Sequence, residues 1–189
     1  MAHEFGHYLL HRHDKPMGIQ CQYQRGSLGK KARALEKEAD RFASNLLMPL
    51  DDYQNRISPN ETVDFDMLSS AADHYEVSLT AAILRWLEYT EKRAVMVMSE
   101  EGAISWSRAS GPAAKTGAYF PITDEMVEVP KNSLVANPSQ IEDTRKGLIV
   151  PDGTWFPKEE GIREMAIVSE NYGFTISLLM LNNYAGDAY

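Results

Sequence analysis

His3-Glu4-Phe5-Gly6-His7 stands at the head of the chain, and it constrains the fold more than any other stretch. Two histidines four residues apart share a face in a helix, where they lie one turn apart and both imidazoles can reach one ion. Glu4 then projects about 100° round from His3, beside that ion. Two neutral imidazoles and a third protein donor suit Zn²⁺, with one position left for water, and the carboxylate next to the first histidine takes that water's proton. With 5 His in 189 residues, the bare pattern arises by chance in roughly one chain in a hundred of this composition, so the reading needs a second feature.

That feature lies in the following helix. Ala34 to Leu47 is strongly amphipathic, with Leu35, Ala39, Phe42, Ala43, Leu46 and Leu47 at helical spacing. Glu36 and Asp40 sit one turn apart on the flank of that stripe. If the stripe packs on the first helix, Glu36 becomes the third metal ligand, and Asp40 accepts a hydrogen bond from the non-ligating nitrogen of His3 or His7, which fixes the ring tautomer. Glu38 projects to the opposite side and reads as an exposed helix charge. His13 has the spacing of the third histidine in HExxHxxGxxH, but that pattern needs a glycine where Leu10 stands, because the backbone must leave the helix sharply. His11 lines up with His3 and His7, yet three consecutive histidines at this spacing diverge along the axis. His11 and His13 therefore read as capping or surface histidines, with a contact to the metal site or substrate as the second reading for His11.

The pairing HExxH with ExxxD is the pattern of the gluzincin peptidases. Ala2-His3-Glu4-Phe5-Gly6-His7-Tyr8-Leu9-Leu10-His11, then Glu36-Lys37-Glu38-Ala39-Asp40-Arg41-Phe42-Ala43 running into Leu46-Leu47-Met48-Pro49, closely resembles the ImmA/IrrE family of zinc metallopeptidases. The resemblance implies a bacterial or phage cytoplasmic peptidase whose target is a partner transcriptional repressor. By position in the motif it implies His3, His7 and Glu36 as ligands of Zn²⁺, with Mn²⁺ able to substitute, and Glu4 as catalytic base. Family members carry a helix and strands before the HExxH helix, and an edge strand there helps to hold substrate. Here Met1 lies two residues before the first histidine, so the full protein is expected to be longer.

The remaining chain predicts an α+β fold: a metallopeptidase-like helical domain over 1–93 and a mostly antiparallel β domain over 94–189. Asp14 to Lys31, with its three glycines, Pro16 and Cys21, reads as a loop or short hairpin. Cys21 reads as an ordinary thiol. Leu50 to Ile57 predicts a short helix. Within 65–90, two helices meet at Glu76-Val77-Ser78, with Ser78 as N-cap, as a helix-turn-helix-like pair whose core is Leu68, Ala72, Ala82, Ile83 and Leu87. Hairpins are predicted at 94–107 around Glu100-Glu101-Gly102, at 148–156 around Pro151-Asp152-Gly153, and at 165–181 around Asn171-Tyr172-Gly173. Residues 109–117 read as a mobile connection and 139–146 as a short helix or ordered loop. Trp155 and Phe156 read as core or edge packing.

Charge excludes some functions. A formal net charge of -8 and a pI near 5.1 argue against a broad nucleic-acid surface. The second helix of the pair offers mainly Arg85 against Glu88 and Glu91, so electrostatics disfavours direct DNA binding and favours a structural role. A single Cys excludes an intrachain disulfide and fits a reducing cytoplasm, and no apolar run approaches membrane-spanning length. The leading expectation is a zinc-dependent metallopeptidase acting on a protein, the repressor. The rival is a metal-binding regulatory or interaction protein with weak or no peptidase activity, favoured by the missing N-terminal strand.

Overall fold

The computed structural model describes residues 1–12, 30–121, 126–136, 144–169 and 173–182, and has the expected α+β class. Among the described residues five helices precede an antiparallel six-stranded sheet. The chain divides into two compact units, Met1–Tyr53 and Gln54–Tyr189. His13 and Cys21 lie outside the described residues. Among those residues no helix is long and apolar enough to cross a membrane.

The first unit is built on α1 (Ala2–His11) and α2 (Lys30–Leu47), which pack side by side. Ala39, fully buried, is the centre of the α2 face, and Gly6 is what α1 sets against it. A Cβ added at Gly6 would lie 3.2 Å from both the Cα and the carbonyl oxygen of Ala39, and 3.1 Å from Phe42. Only glycine allows this approach without displacing backbone. Leu46 and Leu47, expected in the buried stripe, are exposed, because α2 runs 18 residues and α1 only 10. Pro49 ends α2 by pushing Met48 from helical geometry, and α3 (Leu50–Arg56) follows as predicted.

In the second unit, α4 (Phe65–His74) and α5 (Leu79–Leu87) form the expected pair. Asp64 caps α4 by accepting from Met67 N at 2.9 Å, and Ser78 caps α5 by accepting from Ala81 N at 3.2 Å. Between them Glu76 takes a left-handed φ of 52°, while Val77 N–H donates to Ala72 and Glu76 N–H to Asp73, which satisfies the last carbonyls of α4. The predicted core residues Leu68, Ala72, Ala82, Ile83 and Leu87 are all buried. Arg85 is buried too and donates to Glu88 at 2.6 Å, so α5 does not present it outward.

The sheet order is β3-β2-β1-β6-β5-β4, with β1 (Ala94–Glu100), β2 (Ala103–Ala109), β3 (Val127–Glu128), β4 (Leu148–Ile149), β5 (Arg163–Ser169) and β6 (Phe174–Met180). The first predicted hairpin is β1–β2, turning at Glu101 and Gly102, both at positive φ (49° and 79°) as a two-residue hairpin loop requires. The last is β5–β6, with Met165 opposite Leu178 and Ser169 opposite Phe174. The middle hairpin does not form. Leu148 and Ile149 pair instead with Glu164 and Arg163 of β5, while Trp155 and Phe156 turn inward to the core beside Val97, Ala166 and Leu179. Large aromatic side chains bury more area in that core than a short edge pairing would. Residues 111–115 are a short helix, α6 (Gly111–Lys115), capped by the fully buried Ser110, rather than a mobile connection. Residues 137–143 lie outside the described set.

Glu164 is fully buried in β5. Its carboxyl accepts from Trp155 Nε1 at 2.7 Å and Leu134 N at 3.1 Å. Burial pushes its pKa above the usual carboxylate range, and these hydrogen bonds only partly offset the shift. A raised carboxyl pKa means the folded state holds the proton more tightly than the unfolded chain. Stability from this group is therefore full below the unfolded value of about 4.3 and declines as pH rises towards the folded value. Glu164→Gln keeps an acceptor for both donors and carries no charge. The expected result in urea unfolding series is a stability advantage for Glu164→Gln that grows with pH above about 4.3; an advantage that shrinks with pH contradicts it.

Candidate metal centre

On α1, His3 and His7 fall on one face, and the close seating of Gly6 on Ala39 carries that face to the flank of α2 that holds Glu36. His7 Nε2 lies 3.0 Å from His3 Nε2. Glu36 closes the triangle, with Oε2 3.2 Å from His3 Nε2 and Oε1 3.5 Å from His7 Nε2. The donor atoms of the three residues all lie within 4.8 Å of one another. Metal–donor bonds near 2.05 Å at tetrahedral angles put neighbouring donors about 3.3 Å apart, so the observed separations fit a single small ion bound by all three. The donor set, two nitrogens and one carboxylate with a coordination position to spare, suits zinc.

Burial is uneven around the triangle. His7 is 5% exposed, whereas the side chains of His3 and Glu36 are 30% and 27% exposed. The centre is thus walled on the His7 side and open to solvent on the other. The rings of His3 and His7 meet edge to face at 82°, with their Nε2 atoms 3.0 Å apart. His3 Nδ1 lies 2.8 Å from Asp40 Oδ1. With Nε2 committed to an ion, the ring proton sits on Nδ1 and donates to Asp40, which fixes the tautomer. Glu4 is exposed on the first turn of α1, next to His3.

The first turn of α1 is held by its own backbone and by packing. Phe5 N–H donates to Met1 C=O at 3.0 Å, and no side chain caps the N-terminus. Phe5 meets Phe42 of α2 edge to face at 5.9 Å.

The structure thus brings together His3, His7, Glu36 and Asp40 as the sequence pattern predicts. One further residue departs from it. His11 is only 2% exposed, so it is not a surface group; Glu38 is an exposed helix charge as expected, and its carboxylate lies 3.0 Å from His11 Nε2. The signal for His11 was present in its i, i+4 spacing from His7. For Glu38 the sequence carried none, because its partner reaches it round the far side of the stripe.

Residues 1–87 match the family described as Peptidase_M78: IrrE N-terminal-like domain. No curated protein matches the chain.

Proposed function

Since residues 1–87 belong to the ImmA/IrrE family of peptidase domains, we propose that this protein is a metal-dependent endopeptidase whose substrate is a protein, a partner transcriptional repressor. The observation that carries the reading is the convergence of His3, His7 and Glu36 at the donor spacing of one tetrahedral ion. When bound, the divalent ion supplies Lewis acidity that polarises the scissile carbonyl and makes water a nucleophile near neutral pH. Zinc suits the donors best, and Mn²⁺ is a workable substitute.

The protein's residues then have distinct tasks. His3 and His7 would hold the ion through Nε2, and Glu36 would hold it through its carboxylate. Asp40 keeps the His3 proton on Nδ1, leaving the Nε2 lone pair free. Glu4, exposed to solvent beside His3, takes a proton from the attacking water and delivers it to the departing amine.

The reading is tested by incubating the purified protein and Zn²⁺ with a candidate repressor from the same genome. Cleavage at one site, abolished by chelation and restored by zinc, is the expected result. Metal-independent binding with the repressor left intact overturns it and favours a regulatory interaction protein. Metal content separates the ligand assignment from the chemistry: His3→Ala, His7→Ala and Glu36→Ala should each lose bound zinc, measured by elemental analysis after gel filtration.

A further inference from the structure

Behind the two imidazoles the hydrogen bonds run in two directions. His3 reaches Asp40 directly, whereas His7 Nδ1 lies 3.0 Å from His11 Nδ1, and His11 Nε2 lies 3.0 Å from Glu38 Oε2. We propose that His11 and Glu38 form a relay that holds His7 in the tautomer and ring orientation required for metal binding, so that both are positioning residues of the centre. The inference rests on the metal-centre reading above and deepens it.

The polarity of this chain is fixed once His7 Nε2 binds an ion. The only proton left on His7 is then at Nδ1, and its acceptor at 3.0 Å is His11 Nδ1. His11 must accept there through a lone pair, so its own proton sits on Nε2, where the acceptor is Glu38. Each ring nitrogen has one role. Reversing either link would set two donors or two lone pairs face to face. His7 and His11 are 5% and 2% exposed, so water is a poor substitute for either partner, and a broken link would leave a buried ring nitrogen unsatisfied.

The layout of α2 explains why one helix serves both paths. At about 100° per residue, Glu36 and Asp40 fall on one side of Ala39, and Glu38 falls about 100° to the other side. With Gly6 seated on Ala39, α1 straddles this face: His3 and His7 look towards Glu36, while His11, a turn further along, reaches the Glu38 side. A histidine in the last turn of a helix often just complements the helix dipole. Here its Nδ1 is directed to His7, and its Nε2 to a carboxylate of the neighbouring helix.

The test measures zinc affinity by competition with a chromophoric chelator, and reads imidazole tautomers from ¹⁵N resonances of the zinc-loaded protein. Wild type should show His7 protonated at Nδ1 and His11 at Nε2. His11→Ala should weaken zinc binding by about 10- to 100-fold, the range for removing an orienting partner behind a histidine ligand. Glu38→Ala should weaken it less and convert His11 from one tautomer to a mixture. Glu38→Gln should recover part of the loss, since its amide oxygen still accepts from Nε2–H. The Glu38 side chain is 60% exposed and alanine favours helix, so this pair of variants stays informative even if His11→Ala fails to fold. Glu38→Ala with wild-type affinity and an unchanged His11 tautomer overturns the relay and leaves the metal centre standing. A wild-type protein that binds no zinc, or binds it equally well after His3→Ala, overturns the centre and the relay together.

Discussion

Glu4→Gln is expected to keep its zinc and to lose cleavage by about 10²- to 10⁴-fold, the contribution of a positioned general base. The substitution preserves shape and removes only the ability to take a proton. Because Glu4 is exposed and is not one of the three converging donors, α1 and the ligand triangle should be undisturbed. Single-turnover cleavage of the repressor, paired with metal content, separates the two effects. Wild-type rates in Glu4→Gln would remove the base assignment while leaving the ligands in place, and loss of metal would show that the residue belongs to the binding set.

The largest stability effect is expected in the second unit, at Arg93. This residue and Glu159 are 5% and 6% exposed at their side chains. The guanidinium grips both carboxylate oxygens, with Nη1 to Oε2 at 3.0 Å and Nη2 to Oε1. It also donates to Thr116 Oγ1 at 3.0 Å and to the carbonyl of Asn182 at 2.6 Å. Arg93 thereby ties the entrance of β1 to the end of α6 and to the chain leaving β6. Removing one member strands a buried charge, so Arg93→Ala or Glu159→Ala should each cost about 3–5 kcal/mol in urea unfolding. Replacing both by apolar residues, Arg93→Met with Glu159→Leu, should recover much of that loss because no charge is left unpaired. A double variant as unstable as the single ones would show that the ties to Thr116 and Asn182 dominate.

The parts of the molecule that were legible in the sequence are those decided by local spacing. His3, His7, Glu36 and Asp40 each follow from one-turn intervals on two helices, and the stripe through Ala39 says which sides must meet. The β5–β6 hairpin and the α4–α5 pair are likewise local, set by alternation and by caps at Asp64 and Ser78. What escaped was decided by distant partners. Leu148 and Ile149 look like one arm of a hairpin around Gly153, yet they pair with β5 because Trp155 and Phe156 are drawn to the core. Residues 111–115 have the composition of a loop, and the buried Ser110 hydroxyl turns them into a helix by accepting from Ala113. His11 is polar enough to read as surface, and its links to His7 and to Glu38 of the other helix emerge only once the helices pack.

The seating of Gly6 on Ala39 has a further implication. Among the described residues the imidazoles of the centre come from α1 and the carboxylates bonded to them come from α2, so α1 alone holds two of the three donors and neither helix completes the set. Sliding or rolling one helix against the other separates every acid from every imidazole at once, and a single rigid coordinate governs whether the cluster exists. Damage at that contact would appear as a loss of working molecules, each survivor fully competent, instead of a population uniformly weakened.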